Sequence, residues 1–152
     1  MRLDFRRATI VDIPIAITLQ NEAFYLDFLR YGSCPSYNRS EDKMRDIIIN
    51  HHDFLIFADD IPVGNIIIKL REENECHLNS LGILPEYQGK GIGKAAMAFI
   101  ETAFPSSLLF TLDTPADKQS NVAFYVSCGY SISGHIELDD MKLVLFERRR
   151  TG

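Results

Sequence analysis

The sequence predicts an α/β sandwich of mixed strand direction, a central sheet covered by helices. Three observations carry this. Short runs alternate apolar and polar residues, as half-buried strands do. Other stretches repeat apolar residues at helical spacing. Acidic turn residues, Asp59-Asp60 and Asp139-Asp140, separate paired apolar runs as hairpins require.

Each element follows in order. Leu3 and Phe5 alternate with Asp4 and Arg6, a short strand. Asp12 caps a helix with Pro14 in its first turn and Ala16, Leu19, Ala23 and Phe24 on one face. Tyr31 to Ser36 reads as a loop, and Ser40 opens a second helix. There Glu41 and Asp42 favour the positive end of the dipole, and Met44, Ile47 and Ile48 form a buried stripe. Phe54 to Ala58 and Val63 to Leu70 are strands joined through Asp59-Asp60-Ile61-Pro62, and a third strand from about Glu75 to Leu84 pairs with them. Gly91 to Phe104 is helical, with Ile92, Ala96, Phe99, Ile100 and Ala103 on its apolar face and Pro105 ending it. Leu108 to Leu112 is a buried strand. Ser120 to Cys128 is a short helix stopped by Gly129, and Ile132 to Leu138 with Met141 to Phe146 form a closing antiparallel pair.

The 152 residues suit one domain spanning 1–152, and no repeat or linker divides them. A net charge of −5 argues against a general nucleic-acid or anionic-membrane surface, which needs clustered Lys and Arg. Cys34, Cys76 and Cys128 lack CxxC spacing and the four histidines lack HExxH, so neither a disulfide framework nor a metal centre is expected. A reducing cytoplasm is the default. Charges interrupt any signal-peptide core at the N-terminus, and no apolar run is long enough to span a bilayer.

The chemical signal lies from Leu81 to Lys94: a strand, a glycine-rich turn, then a helix. Glycine lets the backbone take positive φ and leaves no Cβ to hold a ligand away. The N–H groups of a helix's first turn lack intrahelical partners and face a positive dipole end, a natural seat for a diphosphate. A Walker A loop needs four residues between its glycines and then Lys-Ser or Lys-Thr; Gly89 and Gly93 have three between them, and Lys94 precedes Ala95. The Rossmann GxGxxG fits no better, since Gly89, Gly91 and Gly93 give GxGxG.

The spacing that fits is Gln-x-x-Gly-x-Gly at Gln88, Gly91 and Gly93, preceded by Ile83, Pro85 and Tyr87. It closely resembles the acetyl-CoA signature of the GCN5-related N-acetyltransferases (GNAT). Asn121, Phe124-Tyr125, Gly129 and Tyr130 resemble that family's N-x-x-F-Y-x-x-x-G-F/Y element, and the order of elements matches along nearly the whole chain. The resemblance implies a mixed, mostly antiparallel central sheet flanked by helices, the acyl-CoA N-acyltransferase fold. It implies that Leu81, Gly82 and Ile83 pair with the pantetheine arm. Gln88, Gly89, Lys90, Gly91, Ile92, Gly93 and Lys94 would surround the pyrophosphate. Asn121 would approach the coenzyme or, equally, cap its own helix. One departure stands out: some relatives have an Asn seven residues before the tyrosine, where this chain has Lys118.

The resemblance further implies direct acetyl transfer from acetyl-CoA, as co-substrate and without a metal, to a primary amine. An amine of pKa about 10.4 is neutral in only about one molecule in a thousand near pH 7, so a proton acceptor has obvious value. The N–H of Ile83 or Leu84 would polarise the thioester carbonyl, and Tyr125 would protonate the departing sulfur, although an aromatic beside Phe124 also suits a core. For the base, Asp113 resembles the carboxylate of some protein N-terminal acetyltransferases. Glu75 and, with less weight, His77 begin a strand where other relatives carry one. Each also reads plainly as a polar residue at a strand end.

Tyr25, Phe28, Tyr31 and Tyr37 cluster around the loop after the first helix and either line the acceptor pocket or pack a helix end. Asp27, Glu41 and Asp42 nearby suit a cationic amine. A small-molecule amine is slightly favoured over a peptide amine. A homodimer through the last strands is compatible with the resemblance. The competing reading is a non-catalytic acyl-CoA-binding or sensing module.

Overall fold

The computed structural model describes residues 1–150. Its elements run β1 (Leu3–Arg7), α1 (Ile13–Tyr31), α2 (Glu41–Asn50), β2 (His52–Ala58), β3 (Ile61–Leu70), β4 (Cys76–Ile83), α3 (Ile92–Ala103), β5 (Leu109–Pro115), α4 (Gln119–Ser127), β6 (Ser131–Leu138) and β7 (Met141–Arg149). The order is the one the sequence predicts. Seven strands form a mostly antiparallel sheet in the order β1-β2-β3-β4-β5-β7-β6, with β4 and β5 parallel. Among the described residues no helix is long and apolar enough to cross a membrane.

The chain divides into two compact units. The first holds residues 1–69 and 79–100, the second residues 70–78 and 101–150. In the first, α1 and α2 bury Ile13, Ala16, Leu19, Met44, Ile47 and Ile48 in one cluster with Leu55, Ile67 and Leu84. Apolar residues at i, i+3 and i+4 give each helix the face that this core needs. Ser40 caps α2 by accepting from the Lys43 N–H at 3.2 Å, as expected. Asp12 precedes α1 but its carboxylate turns back to accept from the Thr9 N–H at 2.9 Å, closing the turn before the helix rather than capping it.

The hairpin between β2 and β3 is tighter than the sequence suggests. Its turn is Asp59-Asp60 alone, both with positive φ, while Ile61 and Pro62 already belong to β3. Pro62 lacks a donor for a regular ladder, and the pairing shifts register between Ile56 and Phe57. Phe99 of α3 stacks on Phe5 at 4.5 Å and meets Phe54 edge-on at 5.0 Å.

In the second unit, β5 starts at Leu109 and runs to Pro115. Leu108 is exposed, so the predicted strand is displaced toward its C-terminal end. Phe110, Leu112, Val144 and Phe146 are buried. Gly129 follows α4 at φ 91°, the left-handed stop that glycine favours. Asp139 and Asp140 repeat the positive-φ pair at the β6–β7 turn.

Candidate active site

The first unit contains the glycine turn. After β4, the 3-10 turn Pro85–Tyr87 leads through Gln88 to Gly91 and into α3. Gly89 and Gly91 take φ of 74° and 84°. A Cβ built on either would meet nothing within 4 Å, so this face of the turn is open and no side chain fills it. The hydrogen-bond ladder of α3 starts with the Ala95 N–H donating to Gly91 O at 3.1 Å. The amides of Ile92, Gly93 and Lys94 therefore lie in the helix's first turn, at the positive end of its dipole. Exposed Lys90 and Lys94 add positive charge. These features fit a diphosphate.

Two neighbours fix the turn. The Gln88 side chain donates from Nε2 to the Ile83 carbonyl at 3.0 Å, so it ties the turn to the end of β4. The Leu84 N–H donates to the Val63 carbonyl at 2.9 Å. Of the two amides that the sequence offers as thioester donors, Leu84 is thus committed to β3. Gly82 is buried against α1: a Cβ there would stand 2.8 Å from the Phe24 ring and 3.0 Å from Ala23. Leu81 and Ile83 alternate with it and are half-buried.

A pocket of about 570 Å³ lies beside this turn, lined by Asn21, Glu22, Tyr25, Tyr37, Pro85 and Glu86. Tyr25 and Tyr37 approach to 6.0 Å, and Phe28 stacks behind Tyr37 at 4.5 Å. Two of the four aromatics that the sequence groups thus line a cavity, while Tyr31 carries the Arg30 guanidinium at 5.3 Å. The lining carboxylates are Glu22 and Glu86, not Asp27, Glu41 or Asp42.

The second unit brings the three proton-acceptor candidates together. His77 Nδ1 is 2.9 Å from Thr111 Oγ1, and the Thr111 hydroxyl donates to Glu75 Oε2 at 2.7 Å. Arg71 Nη1 donates to the same carboxylate oxygen at 3.2 Å. Asp113 Oδ2 lies 4.0 Å from His77 Nε2. Parallel pairing of β4 with β5 produces this grouping, since His77 registers with Thr111. Thr111 was not singled out from the sequence. The available signal was period-two alternation, which puts it on the same face of β5 as Asp113 while Phe110, Leu112 and Thr114 are buried.

Tyr125 is buried, within 5.1 to 6.2 Å of the rings of Phe124, Phe146 and Tyr130. Burial raises its phenol well above the ordinary range, and Cys128 and Asp113 push the same way. The group is held protonated. Asn121 donates from Nδ2 to Thr114 Oγ1 at 3.2 Å, tying α4 to β5 instead of capping the helix. Lys118 occupies the N-cap position without a side-chain cap bond.

Residues 19–130 match the Acetyltransferase (GNAT) family profile. The uncharacterized protein YrkN of Bacillus subtilis (strain 168) is 28% identical over 131 residues, covering 80% of this chain and 69% of that protein. PaiA N-acetyltransferase from Thermoplasma acidophilum, solved in complex with coenzyme A, superposes with a TM-score of 0.83. It is 20% identical over 99% of this chain and 100% of its own. The ribosomal-protein-S18-alanine N-acetyltransferase of Escherichia coli gives 0.75, at 15% identity over 99% and 97% of the two chains. A chimera of spermidine N-acetyltransferase SpeG from Vibrio cholerae and hSSAT gives 0.76, at 18% identity over 98% and 96%. At these identities the solved structures establish the shared fold, and the profile match spans most of the sequence. The chain belongs to the acetyltransferase (GNAT) family, whose members are N-acetyltransferases.

Proposed function

We propose that this protein, as one domain, transfers the acetyl group of acetyl-CoA directly to the primary amine of a small cationic molecule. One observation carries the reading most: the open left-handed pair Gly89 and Gly91 ahead of the first-turn amides of α3. Backbone donors at a helix start suit a doubly charged diphosphate, and a side chain at either glycine would be strained. Gln88, Gly89, Lys90, Gly91, Ile92, Gly93 and Lys94 form this seat, with Gln88 acting through its hold on Ile83. Leu81, Gly82 and Ile83 supply the strand edge for the pantetheine arm. Ile83 is the remaining amide of the expected pair to polarise the thioester.

Tyr125 donates to the departing sulfur. A thiol titrates near about 8.5, so a phenol with a raised pKa acts more by hydrogen bonding to the developing thiolate than by giving up its proton outright. Asn121 steadies α4 through Thr114. Glu75 and Asp113 lie in the proton-accepting group around His77. For the acceptor, two tyrosine faces and two carboxylates suit an ammonium by cation–π and ionic attraction.

The test is thiol release from acetyl-CoA with a panel of diamines, polyamines, amino acids and N-terminal peptides. Turnover with small cationic amines above peptides supports the proposal. Preference for peptides reverses the acceptor assignment. Coenzyme binding without release of thiol from any amine points to the non-catalytic acyl-CoA module instead.

A further inference from the structure

We propose that Arg39 determines which amines bind: it fixes the loop between α1 and α2 and so sets the Tyr37 ring in the pocket wall. Arg39 does not line that pocket itself, so it is a positioning residue. This rests on the acetyl-transfer reading above and deepens it.

Side-chain anchors hold the loop on both sides of Tyr37. Before it, the buried Ser36 hydroxyl shares a hydrogen bond of 3.1 Å with the hydroxyl of Ser80 on β4. After it, the Asn38 N–H donates to Asn21 Oδ1 on α1 at 2.7 Å. Arg39 Nη1 donates at 2.8 Å to Oε1 of Gln20, the preceding residue of the same helix. Asn38 takes φ 60°, a left-handed value that Asn tolerates better than most residues, so the chain bends between the two catches. Tyr37 is held with its ring stacked on Phe28 at 4.5 Å and 6.0 Å from the ring of Tyr25. Asn21, Tyr25 and Tyr37 all line the pocket.

The Arg39 anchor has the deepest backing. A guanidinium only donates, so Gln20 turns its oxygen to Arg39 and its amide nitrogen inward. That nitrogen donates to Asn65 Oδ1. Asn65 Nδ2 in turn donates to Asp53 Oδ1 at 2.5 Å and to the Phe54 carbonyl at 3.0 Å. A pure donor at one end and a carbonyl at the other leave both amides a single orientation. Gln20, Asn65 and Asp53 are each 1% exposed, so neither amide can swing away without stranding a buried polar group. Through this chain the loop is tied to β3 and β2 in the interior.

The consequence for binding is preorganisation. A ring already in place attracts an ammonium without a further ordering cost. The sign of the effect separates positioning from charge. Arg39 carries the same charge as a cationic amine, so removing the charge alone would tighten binding. Removing the anchor weakens it.

Initial rates of thiol release by the whole protein test this, with putrescine, spermidine and free lysine as acceptors. Arg39→Met is expected to raise the KM of the amine by about 3- to 30-fold, the weight of one cation–π contact. Its kcat and its coenzyme A affinity by calorimetry should match wild type. Arg39→Lys should recover most of the loss, since one donor to one neutral acceptor suffices. In a Tyr37→Leu background, Arg39→Met should add little to KM. Hydrogen exchange at the Tyr37 and Asn38 amides should be faster in Arg39→Met and slow again in Arg39→Lys, a readout independent of turnover. A KM in Arg39→Met at or below that of wild type overturns the proposal and leaves acetyl transfer intact. So does an equal rise with and without the Tyr37 ring, or unchanged exchange. Absence of thiol release by the wild-type protein with all three amines overturns the underlying reading, and this proposal with it.

Discussion

The carbonyl oxygen of Gly82 lies 2.7 Å from the place a Cβ on Gly64 would occupy. In that space β3 and β4 admit no side chain, and a Cβ on Gly82 would stand 2.8 Å from the Phe24 ring. A glycine inside a strand marks such a close approach. Gly64→Ala and Gly82→Ala should therefore each cost about 1–3 kcal/mol, the usual penalty of overpacking, visible as a lower melting temperature. An unchanged melting temperature in both contradicts the contact.

Gln88 acts on the turn from behind. The hydrogen bond its side-chain Nε2 donates to the Ile83 carbonyl is worth about 0.5–1.5 kcal/mol. Gln88→Ala should weaken coenzyme A binding by roughly tenfold or less while leaving the melting temperature nearly unchanged. Calorimetry and thermal melts together check this, and full affinity would show that the side chain is idle.

Tyr125→Phe should lower kcat by about 10², the low end for a general acid, with coenzyme A affinity preserved. Since burial raises the phenol, its ionisation should add no alkaline decline within the ordinary assay range. Turnover equal to wild type would confine Tyr125 to packing against Phe124, Tyr130 and Phe146.

Asp53 makes stability depend on pH. It is buried, its Oδ1 accepts from Asn65 Nδ2 at 2.5 Å, and its Oδ2 has no partner among the described residues. Burial pushes its carboxyl up to about 7 from 3.8, against the pull of Asn65, Arg39 and Arg7. The folded form thus holds a proton that the unfolded chain releases between about pH 4 and pH 7. The contribution is fully present below the unfolded value and is lost as pH rises through about 7. Denaturant titrations should show wild type losing stability relative to Asp53→Asn by up to about 1.4 kcal/mol per pH unit in that window. Parallel pH profiles would contradict the shift.

What the sequence revealed followed from local rules. Ser40 before Glu41 and Asp42 started α2 where expected, Gly129 stopped α4, and the spacing of Gln88, Gly91 and Gly93 placed a glycine turn ahead of a helix. Contacts between distant segments were not legible. No local pattern says that His77 meets Thr111, because that depends on the parallel register of β4 with β5. The same holds for the buried chain in which Arg39 donates to Gln20, Gln20 to Asn65, and Asn65 to Asp53. Asn65 sits in a run that reads as apolar strand and Asp53 just before another, and only the pairing of β2 with β3 and the packing of α1 give them partners. Asp12 failed as a cap because the Thr9 amide offered its carboxylate a nearer donor.

The central claim is that bare amides at the start of α3 grip the coenzyme diphosphate. Titration calorimetry of coenzyme A into the wild-type protein and into Gly91→Glu tests it most directly. At φ 84° a glutamate would strain the turn and set a carboxylate where the phosphates belong, so binding should be clear in the first and lost in the second. Equal affinity in the two would contradict the account.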